Sequence, residues 1–215
     1  MPKGAVIFDM DGVITDSEPL YGQAVNVVLH GLGHHMSDED HAAIMGSSID
    51  YTWEWVIKRY NLHGDVAHWK REYDKAVVDL LSANVEPAPG LYALLDRLET
   101  AKCKIGLATS SQLNWVEAVL KRLKVDGRFK AIASTEMVRE AKPAPDLYLL
   151  AARKLDAPPK ECVAIEDTPR GIMSAKAAGM TTIAVRTPST AHMDISQADH
   201  VIDSLDKFDL RWLKD

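Results

Sequence analysis

Four short stretches of this chain hold the residue types that do chemistry. The first is Asp9-Met10-Asp11-Gly12, directly behind the apolar run Ala5-Val6-Ile7-Phe8. A carboxylate at the end of a buried strand is unfavourable unless a cation or hydrogen-bond donors meet it. Asp9 and Asp11 together ask for a positive partner, most simply a divalent metal with oxygen ligands. A calcium loop is excluded, because its fifth and twelfth places would fall on Val13 and Leu20. Taken alone, D-x-D-G is equally a strand-end turn, with Gly12 letting the chain swing away.

The second stretch is Thr109-Ser110-Ser111, ahead of a helical pattern. N-capping alone would explain these hydroxyls. A helix start also offers free N–H groups and positive potential, which suit a phosphate. The third is Lys142, in Ala141-Lys-Pro-Ala-Pro-Asp146. Pro143 and Pro145 stiffen the backbone, so the ammonium can be aimed into a cleft of carboxylates; taken alone it reads as a solvated lysine. Such a pair at ~4 Å and an effective dielectric of ~20 is worth roughly 4 kcal/mol before desolvation. The fourth is Glu166-Asp167-Thr168-Pro169. Thr168 suits an N-cap and Pro169 the first helical position, which leaves Asp167 at the strand end. With Asp9 it can complete an oxygen site for magnesium.

These residues need elements to bring them together. Ala5–Phe8, Ile105–Ala108 and Cys162–Ile165 are apolar without alternation, as strands buried on both faces are. Ala131–Ala133, Thr182–Val185 and Val201–Ile202 read as further strands. Between them, helical periodicity appears at Leu91–Leu98, Trp115–Leu123, Asp146–Leu155 and Pro169–Ala178. Alternation of this kind predicts an α/β fold, a Rossmann-like doubly wound parallel sheet with helices on both faces. Parallel strands present their carboxyl ends on one edge, where ligands bind. Asp9, Thr109 and Glu166-Asp167 all fall at such ends.

Residues 16–84 read differently. Leu20, Ala24, Val27 and Val28 form one helical stripe, and Gly31 and Gly33 end it. Ser37 is a candidate N-cap for a second helix carrying Ala43 and Ile44. Trp53, Val56, Ile57 and Tyr60 mark a third, and Val66 to Leu81 a fourth. No strand pattern occurs here. The expectation is an all-helical insertion, residues 16–84, in a core formed by residues 1–15 and 85–215. The hinges are expected near Thr15–Ser17 and in the linker Asn84–Gly90. Asp38-Glu39-Asp40 reads as a solvated helix start. Trp53, Trp55 and Trp69 read as helical-insertion core, or as a platform for a sugar face. His34, His35 and His41 read as exposed residues.

Composition narrows the field. The 215 residues carry a net charge of −6, without the basic face that nucleic acid requires. No apolar run approaches the ~20 residues of a membrane span. Cys103 and Cys162 lie in no metal-binding spacing and read as small buried apolar residues. The start leads straight into the first strand and leaves no room for a signal peptide, so a reducing cytoplasm is expected.

The ordered set Asp9-x-Asp11-Gly12-Val13, Thr109, Lys142-Pro143 and Glu166-Asp167, with Gly171-Ile-Met-Ser-Ala-Lys-Ala-Ala-Gly179 behind it, resembles the haloacid dehalogenase superfamily. The helical insertion resembles the cap of its β-phosphoglucomutase-like branch. The resemblance implies a phosphatase in which Asp9 attacks phosphorus to give an aspartyl-phosphate and Asp11 is the acid and base. It implies Mg2+ held by Asp9, the Asp11 carbonyl and Asp167, with Glu166 a ligand directly or through water. It implies that Thr109, Ser110 and Lys142 hold the phosphoryl oxygens. Dehalogenases and phosphonate hydrolases of the superfamily lack the second acid, which is present here as Asp11. The family's substrate-selecting cap loop corresponds to Gly46-Ser47-Ser48-Ile49, where the arginine of the sugar mutases is missing. That favours a phosphatase of small phosphate esters, sugar phosphates foremost, over a mutase, unless Lys58, Arg59 or a histidine substitutes. A non-catalytic phosphometabolite-binding module is the reading from another class. A monomer without nucleic-acid or membrane partners is expected.

Overall fold

The computed structural model describes residues 4–44 and 48–213. Strand β1, Ala5–Phe8, is buried along its whole length. Successive side chains point to opposite faces. Ala5 and Ile7 join one apolar cluster, while Phe8 meets Phe129 edge-on at 5.8 Å between ring centroids. Covered on both sides, the strand needs no polar alternation. Strands β2 (Lys104–Ala108), β3 (Ala131–Ala133), β4 (Val163–Glu166), β5 (Thr181–Val185) and β6 (His200–Ile202) complete the sheet among the described residues.

The strand order is β3-β2-β1-β4-β5-β6, with every pair parallel. The chain builds outward from β1 in one direction, then returns to β1 and builds outward in the other. That reversal lies between β1 and β4, and doubly wound sheets bind ligands at the carboxyl ends beside it. Phe8 pairs with Ile165, so the next residues, Asp9 and Glu166, stand side by side at the carboxyl edge, Glu166 as the last residue of β4. The Asp9 N–H donates to the Ile165 carbonyl at 2.9 Å.

Helices α1 (Glu18–His30), α2 (Asp38–Ile44), α3 (Ile49–Tyr60) and α4 (Val66–Asn84) lie in one compact unit, Glu18–Asn84. The other unit joins Met1–Ser17 to Val85–Asp215. It contains α5 (Leu91–Thr100), α6 (Leu113–Arg122), α7 (Asp146–Lys154) and α8 (Pro169–Ala177). α7 and α8 contribute Leu147, Tyr148, Ala151, Ala152 and Ala175 to the apolar layer that covers Ala5, Ile7 and Ala164. Thr168 caps α8 by accepting from the Gly171 N–H at 3.1 Å, with Pro169 at the first helical position.

The stripe of α1 is rotated from the expected one. Val25 and Leu29 are buried beside Leu20 and Ala24, whereas Val27 is 50% exposed. Ala24 to Leu29 is apolar almost all round, so periodicity alone left the phase open. In α2 the buried positions are Asp40 and Ile44, four apart, and Ala43 is exposed. Cys103 and Cys162 are buried free thiols, and burial pushes both up to about 11. No helix among the described residues is long and apolar enough to cross a membrane.

Candidate active site

The carboxyl edge gathers Asp9, Lys142, Glu166 and Asp167 into one buried cluster. Carboxylate oxygens of Asp9, Glu166 and Asp167 lie within 4.8 Å of one another. Lys142 enters from the proline-flanked loop before α7, 6% exposed. Its Nζ donates to Asp9 Oδ1 and to Glu166 Oε1, both at 2.6 Å. At that separation and an effective dielectric of ~20, each pair is worth about 6 kcal/mol before desolvation. Desolvation of each ion takes back several kcal/mol, so the pairs position charge more than they stabilise the fold. The solvated lysine is therefore not what this sequence builds.

Glu166 and Asp167, adjacent in sequence, have opposite surroundings. Glu166 is fully buried and surrounded by donors. Its Oε1 accepts from Lys142 and from the Tyr148 hydroxyl at 2.7 Å. Its Oε2 accepts from the Asp167 N–H at 3.2 Å and the Thr168 hydroxyl at 3.3 Å. Gly171 makes room for it, since a Cβ there would stand 1.9 Å from the carboxylate. Asp167 is 2% exposed, and its Oδ1 has no hydrogen-bond partner among the described residues. Gly12, at φ +79°, packs so closely that an added Cβ would stand 1.9 Å from Asp167 Oδ2. The glycine serves a close approach as well as a turn.

The electrostatics agree. Burial, with Asp9 and Glu166 close by, pushes Asp167 up to about 9. Burial likewise pushes Asp9 up to about 8, against the pull of Lys142. Lys142 loses solvation too, but Asp9 and Glu166 outweigh that loss and hold it above its usual range. Three carboxylates against one ammonium leave two negative charges in a buried space when all are ionised. A divalent cation would carry the compensating charge, and Asp167 Oδ1 is an oxygen that lacks a partner among the described residues. The residues present fit magnesium, whose ligands are oxygens including one or two carboxylates.

Asp11, two residues past Asp9, is half-buried. The Ser17 hydroxyl donates to Asp11 Oδ1, and the Ser111 hydroxyl to Oδ2 at 2.5 Å. Thr109 is fully buried, its N–H bonded to the Ala133 carbonyl at 3.0 Å and its Oγ1 accepting from the Ser111 N–H at 3.0 Å. Ser110 is exposed at the same turn. Gln112, not a hydroxyl of this triplet, occupies the N-cap of α6 and makes no side-chain cap bond. Capping therefore does not account for Thr109-Ser110-Ser111.

The structure thus brings together Asp9, Lys142, Glu166 and Asp167, while Ser111 links the turn of Thr109 and Ser110 to Asp11. Tyr148 and the two serines on Asp11 were missed as site residues. Tyr148 carries a signal: a tyrosine in the otherwise aliphatic stripe Leu147, Ala151, Ala152 must find a partner for its hydroxyl. Ser17 carries none and Ser111 only its place in the triplet, because only the fold aims them at Asp11.

In the helical unit, Gly46 and Ser47 lie outside the described residues. Ser48 caps α3, accepting from the Tyr51 N–H at 3.2 Å. Asp40 is not solvated: it is 7% exposed and accepts from Arg59 Nε at 2.9 Å and the Tyr60 hydroxyl at 2.6 Å. Those hydrogen bonds, the tyrosine's first, hold Asp40 below its usual range. Trp53 and Trp69 are buried and stacked at 6.1 Å, core residues rather than a sugar platform. Trp55 is half-buried. His34 and His41 are half-buried and His35 exposed, its Nδ1 3.0 Å from His30 Nε2.

A parallel α/β sheet with this edge and these four stretches defines a class of hydrolase. Residues 6–185 match the family of haloacid dehalogenase-like hydrolases. The chain is 32% identical over 216 residues to the putative phosphatase YhcW of Bacillus subtilis, covering 98% of this chain and 96% of that protein. It is 34% identical over 186 residues to the fructose-1-phosphate phosphatase YqaB of Escherichia coli, covering 84% and 95%. The crystal structure of CbbY from Rhodobacter sphaeroides in complex with phosphate superposes with a TM-score of 0.83 at 28% identity, covering 99% of each chain. The chain belongs to the haloacid dehalogenase superfamily, and its enzyme class is that of the family's phosphatases.

Proposed function

We propose a magnesium-dependent phosphatase of small phosphorylated metabolites, sugar phosphates foremost, working through an aspartyl-phosphate. The observation that carries this reading is the buried, unpartnered Oδ1 of Asp167 among three converging carboxylates. Asp9, the Asp11 main-chain carbonyl and Asp167 would hold the cation. Bound there, it would offset the repulsion between a carboxylate and an incoming phosphate dianion. Glu166, its oxygens already met by four donors, serves as an anchor for Lys142 rather than a direct ligand.

In this reading Asp9 attacks phosphorus, forming an acyl phosphate as the bond to the leaving oxygen breaks. Asp11 gives its proton to that oxygen, then takes one from the water that hydrolyses the acyl phosphate. Lys142, the Thr109 hydroxyl and the Ser110 N–H hold the phosphoryl oxygens as charge redistributes. Lys142 has three N–H donors, and the protein takes two, leaving one for a phosphoryl oxygen. Residues 16–84 serve as the substrate-selecting cap that excludes water.

Phosphatase over mutase is supported by the helical unit. No arginine follows Gly46-Ser47-Ser48, and Arg59 is bonded to Asp40 instead of standing available for a second phosphate. The fructose-1-phosphate and putative phosphatases among the relatives support a phosphate-ester substrate. The buried free thiols accord with a reducing cytoplasm. The test is phosphate release from a panel of sugar and polyol phosphates, with magnesium and then with chelator. Turnover that needs magnesium is expected. A panel without any turnover would defeat the proposal and favour a phosphometabolite-binding module.

A further inference from the structure

The contrast between Glu166 and Asp167 turns on Tyr148, in the first turn of α7. Both residues offer a carboxylate within reach of one cation, yet one is saturated by protein donors and the other is not. Among the donors on Glu166, Lys142 is shared with Asp9, and Thr168 already accepts from the Gly171 N–H. The Tyr148 hydroxyl is the neutral donor on Oε1, fully buried at 2.7 Å. Its ring also stands 5.2 Å from Lys142 Nζ, so one side chain touches both members of the ion pair. The ring is fixed in turn by the layer of Leu147, Ala151 and Ala152. A Glu166 released from this bond would keep a carboxylate with a vacant lone pair in a space where oxygens of Asp9 and Asp167 lie within 4.8 Å.

We propose that Tyr148 is a positioning residue that holds Glu166 on Lys142 and off the cation, and so sets how many carboxylates the metal site presents. This rests on the magnesium site of the proposed function. Two carboxylates and a carbonyl suit magnesium, which keeps several waters in a small octahedron. A third carboxylate suits calcium, which takes six to eight oxygens at longer distances. Tyr148 thereby acts as a selectivity determinant without touching metal or substrate.

The test is Y148F, which keeps the ring and removes the hydroxyl. Titration calorimetry with magnesium and with calcium, on chelator-treated protein, reads the site without turnover. Y148F is expected to shift the calcium-to-magnesium affinity ratio toward calcium by roughly tenfold, with kcat lowered by about the same factor and KM within about twofold. The double variant Y148F/E166Q is expected to match E166Q alone, since the tyrosine acts through Glu166. Thermal melting confirms that each variant folds. A Y148F ratio equal to that of the wild type, or effects of Y148F and E166Q that simply add, would overturn the inference while leaving the proposed function standing. A wild-type chain that binds no magnesium would overturn both together.

Discussion

Two buried carboxylates, one in each unit, show how differently the same group is used. Asp40 in the helical unit and Asp167 in the α/β unit are 7% and 2% exposed. Asp40 receives a guanidinium and a phenol and is held below its usual range. Asp167 sits beside two more acids, is pushed up to about 9, and keeps one oxygen without a partner among the described residues. A satisfied buried charge closes a local network. An unsatisfied one is destabilising, and persists where a ligand completes it. Burial alone does not separate the two; the inventory of partners does.

That contrast is sharpest at Asp9. Asp9→Asn removes the proposed nucleophile but fills the same volume. Phosphate release is expected to fall by roughly 10⁴-fold or more, with the melting temperature unchanged or raised because one acid leaves a repulsive cluster. Phosphate release near wild-type rates would sink the assignment. Next is Asp167→Ala, with an expected loss of roughly 10³-fold in kcat. Its sharper readout is thermal: magnesium at about a hundred times its Kd should stabilise the wild type by about 2.7 kcal/mol and this variant hardly at all. Equal stabilisation of both would place the cation elsewhere.

Lys142→Met should lower kcat by roughly 10²–10³-fold, as loss of a transition-state charge contact does. It should also lower the melting temperature, because Asp9 and Glu166 lose their shared cation. A change confined to KM would recast Lys142 as a ground-state binder. The smallest effect belongs to the helical unit. Tyr60→Phe removes a hydrogen bond to Asp40 and should lower the melting temperature by roughly 2–4 °C. Turnover should stay within twofold, and a large loss of turnover would break the distinction between a satisfied structural acid and a catalytic one.

Much of the α/β unit was legible in the sequence. Unbroken apolar runs such as Ala5–Phe8 form strands covered on both faces, and the Thr168-Pro169 pair marks the start of α8. The acids and hydroxyls followed from their places at strand ends. The helical unit was less legible. Ala24–Leu29 is apolar nearly all round, so the buried face of α1 was left to packing. Asp38-Glu39-Asp40 looks uniformly solvated until Arg59 and Tyr60 arrive from α3. The role of Tyr148 was not legible, because its partner Glu166 lies 18 residues away.

The chain by itself determined which residues end the buried strands and which types stand there, since burial periodicity and capping are local properties. Tertiary structure decided which carboxylate is anchored and which stays open. Lys142 reaches Asp9 across 133 residues of sequence, and Glu166 and Asp167, though neighbours, are separated in role by donors from elsewhere. Whether a polar group is satisfied is a property of the space around it, and only the fold assembles that space.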